Sequence, residues 1–332
     1  MIIIQITNRA RPLKVFKNIE DAAKSFSKFS GTKVCIGNFD GCHIGHQNLI
    51  KRFVCEAKKS NQPSVILTFD PNPKVFFEPG QKDFSLFSSE QKLRAFAEQN
   101  VDFVVIQSFD SSFREMDPID FTKSLAEDLK CRSLYVGSNF RFGKNRSGTI
   151  DTLSNYSESM SVKSQDVMSS RGSTVSSTRV RQCLLQGDIE LANSLLGRPY
   201  CLKGTVRTGK KLGRTIGFPT ANLHEIDQLV PKAGVYCGYL SLEDPEHELN
   251  FDKDNHKKAI FNIGTAPTVG SNLPLSVEGH AFNCSWDNDY LYGKKCRFYL
   301  LSKIRDEMKF PSLDDLKDQI ENDCKEAKKR LS

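Results

Sequence analysis

No stretch of this 332-residue chain approaches the roughly 18 consecutive apolar positions that a membrane-crossing helix requires. The ten cysteines are scattered singly from Cys35 to Cys324 with no CxxC pair, which excludes zinc-ribbon spacing. They are expected to be small buried hydrophobes in a reducing compartment. The opening MIIIQITNRARPLKVF sets its apolar residues before its charges, the reverse of a secretory signal, so the expected location is cytoplasmic. There is no internal repeat, no low-complexity segment, no basic run and no aromatic RNA-binding signature. The net charge of +7 fits sites for anionic phosphates as well as it fits nucleic acid, and with no such signature neither nucleic acid nor membrane is expected as a partner. The expected assembly is a monomer or weak homo-oligomer.

What is present suffices for two cores. Hydrophobic residues make up 38% and charged residues 26%, the balance of a soluble globular protein, and the length exceeds that of one ordinary core. From Thr32 to about Gly197, short apolar runs alternate with amphipathic stretches. Strands are predicted at Val34–Ile36, 64–69 (SVILTF), 101–107 (VDFVVIQ) and Leu134–Gly137. Helices are predicted from His46 through Ala57, from a Ser88-x-x-Gln91 capping box through Ala97, and over Pro118–Leu129. Strands alternating with helices imply a parallel sheet covered on both faces. Beyond Arg198-Pro199, the segments GVYCGYLSL, KKAIFNIG, LSVEGHAF and KKCRFYLLSKI, separated by turn residues, imply a compact antiparallel barrel. Ser312–Leu331 carries apolar residues at helical spacing and is predicted to pack on that barrel. The Ser-rich region from Ser154 to Ser177 is expected to be a mobile loop.

Two of only six histidines stand three apart in GNFDGCHIGHQ, between a predicted strand and a predicted helix. That places the turn at the carboxyl end of a parallel sheet, where open α/β folds bind ligands. Glycines 37, 41 and 45 let backbone approach a ligand, and the following helix N-terminus offers free N–H groups to an anion. Histidines there can donate to phosphate oxygens and to charge developing in a transition state. A metal pair, which would need a further ligand that no nearby His or Cys cluster supplies, and a plain polar turn are the alternatives.

GNFDGCHIGHQ resembles the nucleotide-binding signature of the bacterial bifunctional riboflavin kinase/FAD synthetases (FMN adenylyltransferases). The HxGH core is shared with other nucleotidyltransferases and class I aminoacyl-tRNA synthetases. Further stretches sharpen the likeness in the right order: TFDPNP (68–73), VGSNFRFGKNRSG (136–148), SSTRVR (176–181) and GDIELANSLLGRPY (187–200). SSTRVR stands where the synthetases carry a KMSKS-type loop. The resemblance implies a Rossmann-like nucleotidyltransferase domain over 1–185 and a six-stranded riboflavin kinase barrel with its terminal helix over 186–332. In the first, the FMN phosphate attacks the α-phosphorus of ATP and releases pyrophosphate. Gly37, Asn38, Phe39 and Asp40 belong to the matching signature. His43 and His46 would stabilise phosphate charge, Ser177, Thr178 and Arg181 would clamp the triphosphate, and Asn139 and Arg141 would line the nucleotide or flavin pocket. Many relatives have Asp where Asn139 stands, and Ser176 could equally be a helix cap.

Read from residues alone, GTVRTGKKLGRTIGFPTANL (204–223) is a hairpin with turn residues, although Thr220 and Asn222 offer hard oxygen ligands suited to Mg²⁺. Gly204, Gly209, Gly213 and Gly217 could shape a phosphate flap. GFPTANL, AGVYCGYL, FNIGTAPTVG, SVEGH, LYGKK and KIRDEMKFPSLDDLKDQIENDC resemble the riboflavin kinase module in its usual order. The resemblance implies Thr220 and Asn222 as the Mg²⁺ site and Glu278 as the base on the ribityl 5′-hydroxyl. It also implies ATP as co-substrate and riboflavin, FMN and FAD as substrates or products. Ala266 stands where many members have Arg, and GHAFNCSWDNDY departs from the usual apolar strand.

Overall fold

The computed structural model describes residues 2–4, 12–78, 84–156, 160–166, 168–170, 172–209, 213, 216–242, 256–265, 275–284 and 288–332. The chain forms two compact units, one of Met1–Lys82 with Ser89–Val175, the other of Asp83–Ser88 with Ser176–Ser332. No helix among the described residues is long and apolar enough to cross a membrane.

The first unit runs β1 (Ile2–Ile4), β2 (Leu13–Phe16), α1 (Ile19–Phe26), β3 (Thr32–Ile36), α2 (Ile44–Lys59), β4 (Ser64–Asp70), α3 (Pro73–Phe77), α4 (Ser89–Glu98), β5 (Phe103–Ser108), α5 (Ser111–Arg114), α6 (Pro118–Glu127), β6 (Cys131–Gly137), α7 (Ile150–Tyr156) and β7 (Ser161–Gln165), then the hairpin β8 (Ser169–Ser170) and β9 (Ser173–Thr174). Seven strands form one sheet in the order β1-β2-β5-β4-β3-β6-β7. Six of them are parallel, and β1 pairs antiparallel with β2 at the edge. Both faces are covered, as continuous apolar strands require. Val34, Ile36, Val65, Leu67, Leu134 and Val136 pack in one core with Phe26 of α1 and Phe121 and Leu125 of α6. On α2, Phe53 lies against Tyr135 of β6 with ring centroids 5.6 Å apart.

The parallel sheet and its four predicted strands are present, and the departures from expectation lie toward its two edges. β1, β2 and α1 precede the first predicted strand. Ser154–Ser177, expected as a mobile loop, holds β7, whose five residues all pair in register with β6. Its SVKSQ composition hid it, because an edge strand exposed along one side has no need of an apolar run.

The second unit continues with α8 (Ser177–Gln186), α9 (Ile189–Leu196), β10 (Tyr200–Arg207), β11 (Ala221–His224), β12 (Gly234–Leu242), β13 (Lys257–Thr265), β14 (Leu275–Ala281), α10 (Asn288–Leu291), β15 (Lys295–Arg305) and α11 (Leu313–Arg330). The strands close a barrel in the order β10-β11-β14-β13-β12-β15. Phe261 and Phe298 meet across its interior at 4.7 Å between centroids. The outer face of β12, β13 and β15 is covered by α11 through Cys324, Ala327 and Leu331. Ser312 caps that helix, accepting the Asp315 backbone N–H. Arg305 fixes it to the barrel, donating from Nε and Nη2 to both carboxylate oxygens of Asp323 at 2.8 to 3.1 Å. No disulfide joins any of the ten cysteines, and eight are buried, as expected of small apolar fillers.

Candidate active sites

In the first unit, strand order reverses direction between β3 and β6. Chain progress from β3 through β4 to β5 runs one way and then jumps back to β6. Ligands of open α/β sheets bind outside the carboxyl ends of the strands at such a point. Two loops emerge there: Gly37–His43 after β3, and the turn bearing Asn139 and Arg141 after β6. Both side chains of the second turn are exposed, and the Arg141 guanidinium donates to the Phe140 carbonyl at 3.1 Å.

The first loop is tightly wound. Phe39 (φ 49°), Gly41 (φ 71°) and Cys42 (φ 38°) all occupy the left-handed region. Only Gly41 does so without steric cost; Phe39 and Cys42 each store on the order of 1–3 kcal/mol, and strain of that kind concentrates where backbone geometry matters. Burial secures it. The Phe39 ring packs edge-on against Phe96 of α4 at 5.5 Å and against His46 at 5.2 Å. Asp40 is only 4% exposed. The Asn38 side-chain oxygen is buried without a hydrogen-bond partner among the described residues, so a ligand's donor could satisfy it.

His43 ends the loop and caps α2. Its Nδ1 accepts the His46 backbone N–H at 3.3 Å, so the neutral ring carries its hydrogen on Nε2. The His43 and His46 rings stack at 3.6 Å between centroids, 16° from parallel. Gln47 donates to the Cys42 carbonyl at 2.8 Å and closes the turn. Two imidazoles and the positive end of a 16-residue helix thus stand together. Sequence reasoning missed Lys92 of α4. It lies one turn before Phe96 on the face that meets this loop, near Asp40 and Asp70. Burial holds its pKa below the ordinary lysine value, and the two carboxylates oppose that shift.

Ser177, Thr178 and Arg181 stand on α8, in the second unit. Ser176 is the helix cap there, its hydroxyl accepting the Arg179 N–H at 3.2 Å. Arg181 is 9% exposed; its guanidinium lies 3.6 Å from the Phe84 ring centroid, and Nε donates to the Phe84 carbonyl at 2.8 Å.

The barrel gathers the other group. β14 pairs with β11 and β13, so that Asn222, Glu278 and Asn262 stand abreast on three adjacent strands. The Glu278 carboxylate is held at both oxygens, by the Thr220 hydroxyl at 3.2 Å and the Ser276 hydroxyl at 3.0 Å. Gly209 abuts Asn222 so closely that a Cβ there would overlap its side chain. Gly204 lies equally close to His224 across β10 and β11, a packing reason for that glycine. Gly213 accepts the Phe218 N–H at 2.7 Å, and Gly217 takes φ 91° at the following turn. Small side chains at Ala221, Gly279, Ala281 and Cys284, with Pro219, Leu240 and Leu291, line a small cleft beside this strap. His280, also missed from the sequence, reaches the Pro219 carbonyl through Nδ1 at 2.8 Å, and its burial lowers its pKa. Ala266 and residues 285–287 of the unusual segment lie outside the described residues.

The first unit thus offers an anion-suited turn at the end of a parallel sheet, and the second a carboxylate and hard oxygen donors on a closed antiparallel barrel. The FAD synthetase family model matches residues 25–179, and the riboflavin kinase model matches residues 196–331. The bifunctional riboflavin kinase/FMN adenylyltransferase of Haemophilus influenzae is 35% identical over 301 residues, covering 90% of this chain and 94% of that protein. The Escherichia coli K12 enzyme of the same description is 35% identical over 314 residues, covering 94% and 96%. The chain belongs to the bifunctional riboflavin kinase/FMN adenylyltransferase family, as its motifs led us to expect. A solved structure described as a macrolide-efflux protein from Streptococcus pneumoniae shares 28% identity and a TM-score of 0.81, covering 95% of this chain and 98% of its own. That likeness concerns the fold; the family rests on the two domain models and the curated relatives.

Proposed function

We propose that the barrel phosphorylates riboflavin with Glu278 as base and Thr220 and Asn222 as metal ligands, and that the turn at His43 and His46 serves adenylylation of the product. The observation that carries this reading is the Glu278 carboxylate, gripped at both oxygens by Thr220 and Ser276 and set beside Asn222. A carboxylate so held can accept the proton of the ribityl 5′-hydroxyl as that oxygen attacks the γ-phosphorus of ATP and ADP departs. The Thr220 hydroxyl and the Asn222 amide are hard oxygen donors beside a carboxylate, and Mg²⁺ characteristically takes one or two protein oxygens while keeping water and phosphate in its remaining positions. Such an ion supplies neutralisation of phosphate charge when bound. The close approach of Gly209 to Asn222 brings flap backbone to the same place.

In the first unit, the FMN phosphate attacks the α-phosphorus of ATP and pyrophosphate leaves. The α2 N-terminus, His43 and His46 would stabilise the charge on the transferring group, with Gly37, Asn38, Phe39 and Asp40 shaping the loop that receives it. Ser177, Thr178 and Arg181 would bind the triphosphate, and Asn139 and Arg141 the nucleotide or flavin. The working division is residues 1–185 for adenylyl transfer and 186–332 for the kinase, in a cytoplasmic monomer or weak homo-oligomer that takes small molecules and no nucleic acid. Riboflavin, ATP and Mg²⁺ supplied together, with products separated over time, test the assignment. FMN followed by FAD is expected. FAD from supplied FMN alone would leave the barrel inactive, and neither product would reduce the chain to a flavin-binding module.

A further inference from the structure

We infer that His280 is a positioning residue for the kinase step: it anchors the strap 218–220 so that the Thr220 hydroxyl stays on Glu278. The inference rests on Thr220 and Glu278 serving that step as proposed above. β11 and β14 pair only at Ala221↔Gly279, Asn222↔Glu278 and Leu223↔Val277. Two residues further back the ladder meets Pro219, which has no N–H to donate and so cannot extend it. The described strap is therefore held to β14 by side chains. Ser276, Glu278 and His280 alternate along one face of that strand. Glu278 accepts from Thr220, and His280 Nδ1–H donates to the Pro219 carbonyl at 2.8 Å, one residue upstream.

The imidazole is itself fixed. Phe218 packs edge-on at 5.6 Å and Phe282 at 5.9 Å between centroids, and Lys328 of α11 lies 5.1 Å over the Phe282 ring. A donor locked between two rings defines where the Pro219 carbonyl sits, and the Thr220 side chain follows one peptide later.

His280→Phe fills the same space between Phe218 and Phe282 without a donor, and His280→Asn restores an N–H close to the Nδ1 position. In the ligand-free protein, hydrogen exchange of peptides spanning 218–223 should quicken about tenfold in His280→Phe, the scale of one net hydrogen bond, and return toward the native rate in His280→Asn. Riboflavin kinase kcat/KM should fall about 10- to 100-fold in His280→Phe, with part of the loss in KM for Mg²⁺–ATP, because a small displacement of positioning groups is costly. FMN adenylylation should be unchanged in both. Unchanged exchange and unchanged kcat/KM in His280→Phe would overturn the inference, and so would equal losses in both variants. Glu278→Gln is measured alongside. If it keeps kinase turnover, the reading beneath has failed; if it loses turnover while His280→Phe is silent, only the anchor has failed.

Discussion

His43 caps a helix and is proposed to serve a phosphate, two roles that substitutions can separate. Its Nδ1 caps α2 by accepting the His46 N–H, and that bond leaves the hydrogen on Nε2, the nitrogen that would serve a phosphate oxygen. His43→Ala removes both functions. The loss of the cap should cost about 1 kcal/mol, within the range of 0.5–2 found for such residues. Loss of one preorganised donor should lower adenylyl transfer by about 10²–10³. Asn is among the best N-caps but too short to reproduce Nε2. His43→Asn should therefore keep stability near the native value while losing adenylyl transfer by the same factor of about 10²–10³. The assay is FAD formation from FMN and ATP, with pyrophosphate release as a second readout and thermal unfolding of each variant alongside. The kinase reaction of the same preparation is the internal control. Near-normal FAD formation by His43→Asn would refute the phosphate role and leave His43 an ordinary cap. Parallel losses of stability and rate in both variants would show that the rate follows folding.

Glu278→Gln should lower kinase turnover by roughly 10²–10⁴ with Mg²⁺–ATP affinity little changed by calorimetry, whereas Asn222→Ala should weaken that affinity. Asp323→Ala removes the carboxylate partner of Arg305, which keeps its bond to the Asp306 carbonyl; with Asp323 only 3% exposed this should cost about 2 kcal/mol, or about 4–8 °C in Tm, read as a downward shift of the second unit's thermal transition. Hydrogen bonds from Lys163 and then Tyr135 lower the Glu56 pKa from 4.5 to about 2. Its stabilising contribution is complete above pH 4.5 and declines as pH falls toward 2, because the unfolded chain takes up the proton first. The destabilisation caused by Glu56→Gln in urea titrations should therefore be larger at pH 7 than at pH 3. A fragment of residues 186–332 should make FMN and no FAD. One starting at Ser176 should be the more thermostable, since Lys232 donates to the Leu184 carbonyl at 2.9 Å, and loss of kinase activity in both would count against an autonomous barrel.

The sheet and barrel were legible because their strands announce themselves. SVILTF and VDFVVIQ are apolar on both faces, and GVYCGYLSL and KKCRFYLLSKI are flanked by turn residues. β7 was not, since SVKSQ is a polar run along an exposed edge, held to β6 by its backbone ladder and the Ser161 hydroxyl. The His43–His46 turn could be placed from its position between strand and helix. That His43 caps the helix depends on a φ/ψ pattern that no residue spacing reveals. Glu278 came only through family resemblance, because a strand glutamate carries no local sign of the hydroxyls that will meet it. Those hydroxyls are 58 residues away at Thr220 and two away at Ser276. Lys92 and His280 escaped for the same reason: their partners come from other elements.

Asp83–Ser88 belongs to the second unit although residues of the first lie on both sides of it in sequence. Ser85 accepts from the Leu229 N–H at 2.8 Å, and Phe84 receives the Arg181 guanidinium. On the ribosome, this hexapeptide emerges before any of residues 176–332 exist, so the later unit closes around a piece synthesised long before it. The order of synthesis thereby makes completion of the kinase module wait on the whole chain. A barrel lifted out at one cut keeps its strands but leaves behind the Ser85 carbonyl that Leu229 donates to and the Phe84 ring under Arg181.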